Sequence, residues 1–252
     1  MDRALPGGGF RPPGVSATMR AMTLDASPPP TRPPAWGRFL VLDGPDGGGK
    51  TTQAAELARW LRSGGHEVVT CRDPGGTALG DRLRAILLDR DSLHFGTRAE
   101  MLMYMASRAQ LVDEVIRPAL EAGKIVVSDR YLLANIVYQG HAGRLGVEEV
   151  GRVGRAATGG LLPDLTLLLD VSTEVARARI VAARDRMEDR PAAYHMAVRD
   201  GFLRAAAEAA SPAGYTSYPA PIVRIDAMAD PGAVAERIRN EVEHALALGP
   251  RP

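Results

Sequence analysis

Apolar positions along the chain follow two distinct rhythms. Short, nearly unbroken apolar runs occur at residues 38–42 (RFLVL), 66–71 (HEVVTC), 124–130 (KIVVSDR), 165–170 (LTLLLD) and 221–226 (PIVRID), and each predicts a strand. Between them, apolar residues recur every three or four positions. Ala54, Leu57, Ala58 and Leu61 share one face of a helix predicted over 50–63, which Gly64 and Gly65 stop. Further helices are predicted over 80–88, 98–122 (bent near its end by Pro118), 132–139, 147–158, 174–184, 192–210 and 231–248. Strands without polar alternation are covered on both faces. Their alternation with helices predicts an α/β fold, a parallel five-stranded sheet with helices on both sides.

In such a sheet ligands collect at the carboxyl ends of strands, and the polar residues concentrate there. GPDGGGKT follows the first run, RDPGGT (residues 72–77) the second and SDRY the third, while Asp170 ends the fourth. Gly44, Gly49, Lys50 and Thr51 fit G-x-x-x-x-G-K-[ST]. Glycines admit positive φ and carry no Cβ, so successive backbone amides can turn inward around an anion, and the following helix adds its unpaired N-terminal donors. The spacing therefore predicts a P-loop. Gly44, Pro45, Asp46, Gly47, Gly48, Gly49, Lys50, Thr51 and Thr52 would cradle ATP, with Lys50 reaching the β/γ-phosphates and the Thr51 hydroxyl holding Mg²⁺.

Composition narrows the setting. A chain of 252 residues suits one α/β domain. A net charge of +1 gives no electrostatic bias toward nucleic acid or membrane. The single cysteine, Cys71, excludes an intramolecular disulfide framework and fits a reducing cytoplasm. No apolar stretch approaches the ~20 residues that span a bilayer. The only lysines are Lys50 and Lys124, so a lysine inside the loop stands out against an arginine-rich background. Residues 1–36 contain GGG, RPP, SPPP and TRPP and have no apolar periodicity. They are expected to form a disordered tail ahead of a domain over 37–252, with Met19 and Met22 as alternative starts.

LDGPDGGGKTTQ, RDPGGTALGDRLRAILL, EMLMYMASRAQ, SDRYLLANIVYQG, LLPDLTLLLDV and RDRMEDR, in that order, resemble bacterial thymidylate kinases, the P-loop nucleoside monophosphate kinases that phosphorylate dTMP with ATP and Mg²⁺. The resemblance runs from about Arg38 to the C-terminus. It implies the P-loop NTPase fold with a short lid segment, and a cytoplasmic homodimer whose contact face the 98–122 helix could supply. It also implies roles at the matching positions. Arg130 would clamp phosphate and Asp129 would orient Mg²⁺. Tyr104 would stack on thymine, and Arg108, one helical turn on, would contact the monophosphate. Asn135 would read the thymine edge, and Tyr138 would crowd the sugar's 2′ position. Asp46 would lie near the acceptor sugar, and Arg72 would precede a turn closing over the acceptor.

This P-loop has no arginine between Gly44 and Gly49. Members lacking it supply one from the lid, so the resemblance points to Arg184 or Arg186 as the catalytic arginine, and Glu188 aligns with the lid acid. The chain departs from the usual pattern at several positions. Asp43 and Asp73 replace glutamates, Ser107 an aspartate, Ala134 a serine and Met187 an aromatic. Two alternatives stay open on the residues themselves: a P-loop kinase for another acceptor, and an idle nucleotide-binding protein.

Overall fold

The computed structural model describes residues 36–89, 93–180, 186–211 and 217–247. Arg184 and the tail expected over 1–36 lie outside the described residues, except for Trp36, which packs against the core. Five strands, β1 (Phe39–Asp43), β2 (Val68–Arg72), β3 (Ile125–Asp129), β4 (Leu165–Asp170) and β5 (Ile222–Asp226), form one sheet in the order β2-β3-β1-β4-β5, with every pairing parallel. The chain switches direction of travel on either side of β1, so the loops after β1 and β3 open into one crevice. This is the parallel five-stranded α/β sheet expected from the strand and helix rhythm, and it is consistent with the P-loop NTPase fold that the resemblance implies.

The core is two layers divided by the sheet. Phe39 and Val41 face one side, against Tyr131, Leu132, Ile136 and Phe202. Leu40 and Leu42 face the other, against Leu57 and Leu61 of α1 (Lys50–Ser63) and Ile238 and Val242 of α9 (Pro231–Ala247). All five residues of β1 are fully buried, which is why its run shows no polar alternation. Each such Leu or Phe stabilises the fold by about 1.5–3 kcal/mol relative to exposure. An aspartate at Val41 would break this layer. The edge strands β2 and β5 are only partly buried, consistent with their mixed sequences.

Helices α2 (Ala78–Leu88), α3 (Thr97–Leu111), α4 (Arg117–Glu121), α5 (Leu132–Asn135), α6 (Val147–Thr158), α7 (Thr173–Arg179) and α8 (Ala192–Ala209) complete the layers. Two predicted helices are broken by π turns. The expected helix over 98–122 is α3, a π turn at Val112–Ile116, then α4. Pro118 offers no N–H to the preceding turn, and the wider turn accommodates that loss upstream of the proline instead of at it. The helix expected over 132–139 ends as α5 at Asn135 and continues as a π turn over Ile136–Ala142. Local periodicity cannot distinguish i→i+4 from i→i+5 bonding across a few residues, so both breaks escaped it.

Candidate active site

The site begins with local backbone chemistry. Gly44, with φ 136°, could not carry a side chain, because a Cβ there would lie 2.4 Å from the Leu169 carbonyl oxygen of β4. Gly47, with φ 77°, approaches the Ala176 carbonyl oxygen of α7 just as closely, at 2.2 Å for an added Cβ. These two glycines serve close packing, a demand that the motif alone does not reveal. Gly49 starts α1 in a left-handed conformation with no side-chain cap, so the first amides of α1 remain available to a phosphate. At α2, by contrast, Thr77 of the RDPGGT turn caps its helix by accepting from the Gly80 amide at 2.9 Å.

Lys50 is buried, and its Nζ donates to the Pro45 carbonyl oxygen at 2.7 Å. Burial, and then the neighbouring Arg130 charge, push the ammonium down to about 8, against the attraction of Asp46, Asp129 and Asp43. Thr51 Oγ1 donates to Asp129 Oδ2 at 2.6 Å across the mouth of the loop. A hydroxyl and a carboxylate side by side are hard oxygen donors of the kind Mg²⁺ takes when phosphate oxygens complete its shell. Thr51 and Asp129 thus fit the ion expected there.

Arg130 is the hub. It follows β3 at φ 72°, unusual for a residue with a side chain and costing about 1–2 kcal/mol. Its amide is held by the Leu42 carbonyl at 2.9 Å, and the turn throws the side chain back over the P-loop. The guanidinium donates to Asp43 Oδ1 (3.2 Å), to the Gly44 carbonyl (2.9 Å), to Asp46 and to the Tyr138 hydroxyl (3.3 Å). It also sits 5.2 Å from the centre of the Tyr138 ring. Tyr138 in turn donates to Asp46 Oδ2 at 2.8 Å. Arg130 therefore pairs with the P-loop acids, while its sequence neighbour Asp129 turns to Thr51. Burial alone would lift the Asp46 carboxyl, but Arg130, Lys50 and the Tyr138 hydroxyl outweigh it and hold the group at about 2. At Asp43 burial wins over Arg130, the Gly44 amide and Lys50, and the carboxyl is pushed up to about 6.

Two cavities meet at this hub. A long cleft runs along Gly47, Lys50, Thr51, Thr52 and Asp129. A smaller pocket is lined by Tyr104, Arg108, Asn135, Tyr138, Gln139 and Met187, among others. Asp46, Asp73, Arg84 and Arg130 line both. Within the pocket, Arg108 is almost wholly buried and donates to Asp73, to Asn135 Oδ1 and to the Tyr131 carbonyl. Asp73 Oδ1 and Asp43 Oδ2 are buried without a hydrogen-bond partner. These are the two positions where a shorter acid replaces the glutamate expected from the resemblance.

Most of the expected residues converge: Asp46, Lys50, Thr51 and Asp129 line the cleft, and Tyr104, Arg108, Arg130, Asn135 and Tyr138 the pocket. Arg72 lines the cleft instead of the pocket and pairs loosely with Asp81 at 3.4 Å, more than half exposed. Arg186 is held away from the P-loop: its Nη2 bonds Glu100 Oε2 (2.6 Å), its Nε bonds the Leu87 carbonyl (2.9 Å), and its plane lies over Phe95. Three polar residues at or behind the site were not assigned from the sequence: Gln139 and Arg84, which line it, and Glu100, which bonds Gln139 from behind. Spacing held a signal for two of them. Glu100 stands four residues before Tyr104 and eight before Arg108, and Gln139 four after Asn135, so each shares a helical face with an assigned residue.

Comparison with known proteins agrees with this geometry. The profile described as "Thymidylate kinase" matches residues 42–212. A thymidylate kinase of Clavibacter sepedonicus is 48% identical over 68% of this chain and 82% of its own length. One from Rhodopirellula baltica is 43% identical over 80% of each chain, and one from Clavibacter michiganensis subsp. michiganensis is 42% identical over 84% of this chain and 98% of its own. With the P-loop, the Arg130 hub and the adjoining pocket in one crevice, and with that identity across most of both chains, this chain belongs to the thymidylate kinase family.

Proposed function

We infer that the protein transfers the γ-phosphoryl group of ATP to dTMP, giving ADP and dTDP for dTTP synthesis. One observation carries the reading beyond family membership. The cleft and the pocket share Asp46 and Arg130, so a donor on the P-loop and a mononucleotide in the pocket would meet there. In this reading dTMP enters with its base between Tyr104 and Asn135 and its phosphate toward Arg130.

The protein's part is positioning and electrostatics, with no covalent intermediate. The P-loop amides and Lys50 would bind the β- and γ-phosphates, with the ammonium leaving the Pro45 carbonyl for phosphate oxygen. Mg²⁺, held with the nucleotide by Thr51 and Asp129, would neutralise charge on the phosphate oxygens. Arg130 would orient the acceptor phosphate for in-line attack, and its planar fork, already fixed by four partners, loses little entropy in doing so. Asp46 and Tyr138 would hold that fork and border the sugar. An arginine of the lid segment would share the charge on the transferred group. Because Arg186 is engaged by Glu100, Arg184 is the stronger candidate for that role, and kcat should fall more in Arg184→Ala than in Arg186→Ala.

A homodimer and a cytoplasmic setting belong to the same reading. Leu79 and Ile86 on α2 and Leu102 on α3 are large apolar side chains left exposed, and no helix among the described residues is long and apolar enough to cross a membrane. Sedimentation at micromolar concentration tests the dimer. The function is tested by ADP release with ATP and Mg²⁺ across dTMP, dUMP, ribo-TMP, dCMP, dGMP and AMP. A marked preference for dTMP is expected. Preference for another acceptor would overturn the substrate, and ATP binding without turnover on any acceptor would overturn the activity.

A further inference from the structure

We propose that Glu100, which no part of the phosphoryl transfer requires, is a positioning residue for the acceptor base. Its buried carboxylate holds the Gln139 amide, and through it supports the Asn135 amide that Arg108 orients, and it ties the 186–190 turn to the pocket. The proposal rests on the reading that the smaller pocket takes the acceptor nucleotide.

Glu100 lies in the first turn of α3 and is fully buried. A carboxylate so placed needs several partners to offset its desolvation, and it has three. Oε1 accepts from Gln139 Nε2 at 2.7 Å, and Oε2 accepts from Arg186 Nη2 at 2.6 Å and from Arg190 Nη2 at 3.2 Å. The Gln139 bond starts a directed chain: Asn135 Nδ2 donates to Gln139 Oε1 at 2.6 Å, and Asn135 Oδ1 accepts from Arg108.

The ends of this chain decide its middle. An ionised carboxylate can only accept and a guanidinium can only donate, whereas each amide could present either edge. Arg108 turns Asn135 Oδ1 toward itself and Glu100 turns Gln139 Nε2 toward itself, so the two ends enforce the same orientation of both amides, and Glu100 supplies the acceptor that Gln139 needs at its end. Both amides line the pocket, so Glu100, acting with Arg108, holds the pattern of donors and acceptors shown to a base without touching it. Thymine and cytosine present reversed patterns on the corresponding edge, so a fixed amide can tell them apart and a free one discriminates less well.

The other two partners act on the wall of the pocket. Arg186 and Arg190 flank Met187, which is 5% exposed and lines the pocket. Both arginines are also braced from outside, Arg186 by Phe95 and the Leu87 carbonyl, and Arg190 by the Tyr194 ring. One carboxylate thereby holds both ends of the turn that seats Met187.

The test measures the wild type first, on dTMP and dCMP. Without dTMP turnover there, the functional reading fails independently of Glu100. In Glu100→Gln, which keeps the side-chain shape but can donate as well as accept, KM for dTMP should rise about tenfold and the dTMP-over-dCMP preference fall about tenfold. Saturated kcat should stay within about threefold and KM for ATP should not change. Arg190→Met leaves Glu100 paired with Arg186 and Gln139. It should raise KM for dTMP about threefold, with Arg190→Lys restoring it. A folded Glu100→Gln with wild-type dTMP KM and acceptor preference overturns the proposal, as does an equal rise in both KM values. If Glu100→Gln does not fold, an unchanged KM for dTMP in Arg190→Met overturns it.

Discussion

Replacing Arg130 with methionine tests the electrostatic account of the site most directly. Methionine keeps much of the aliphatic stem and bears the same left-handed backbone cost at φ 72°, so the change isolates the guanidinium. In the wild type that group holds Asp46 at about 2. A folded value below the unfolded one means stability that is present above pH 4 and lost as pH falls toward 2. Asp43 has the opposite sign: raised to about 6, it costs stability that develops as pH climbs from 4 to 6. Without Arg130 both carboxyls lose their main counter-charge, and both folded values move upward. The variant should then go on losing stability with pH beyond 6, where the wild type has levelled off. Leaving buried acids without their partner costs about 3–5 kcal/mol, and this full loss is expected at pH 8. At pH 5.5 it should be smaller by about 1–2 kcal/mol, because protonation relieves the acids at about 1.4 kcal/mol per pH unit. Urea unfolding of both proteins at pH 5.5, 7 and 8 measures the gap, with ADP release run in parallel. A gap that is flat with pH, or below about 1 kcal/mol at pH 8, would refute the hub as the device that keeps these acids charged.

Other sites give sharper local readouts. Lys50→Ala should lower kcat by about three orders of magnitude while leaving the melting temperature equal or higher, because a lysine pushed down to about 8 is held at a cost in the free protein; retention of normal turnover would remove the loop from the mechanism. Gly47→Ala must force a Cβ against the Ala176 carbonyl at a positive φ, so it should destabilise the protein by about 2 kcal/mol or more and weaken ATP binding, both measurable by thermal shift with and without nucleotide. Thr51→Val removes a hydroxyl paired with Asp129 and should raise the Mg²⁺ concentration for half-maximal activity about tenfold; an unchanged Mg²⁺ titration would place the ion elsewhere.

Much of this protein is legible in its sequence because the relevant physics is local. The unbroken apolar runs reported strands covered on both faces, and β1, buried at every position, bears that out. Gly-rich spacing before Lys50 and Thr51 predicted a tight turn of positive-φ residues, and Gly44, Gly47 and Gly49 adopt it, since positive φ and the absence of a Cβ are properties of single residues. Tyr104 and Arg108, one turn apart, were bound to share a face, and they line the same pocket. Where the reading slipped, the cause was also local: a π turn and an α turn differ by one residue in bonding, which apolar spacing does not resolve over Val112–Ile116 or Ile136–Ala142.

Partnership was decided by the tertiary structure. The sequence set Asp129 beside Arg130, yet the parallel sheet delivers Arg130 to Asp43 and Asp46, more than eighty residues away, and Asp129 to Thr51. Adjacent residues at a strand end point in opposite directions, so the choice of partner falls to whichever loops the strand order brings alongside. The same holds for Glu100, whose three partners come from the Ile136–Ala142 turn and from the 186–190 segment. Sequence determined which groups could carry phosphate, base and metal chemistry, because that follows from residue type and spacing. Only the fold determined which buried charge neutralises which, because that energy depends on distance and desolvation, and neither quantity exists until the chain has closed around them.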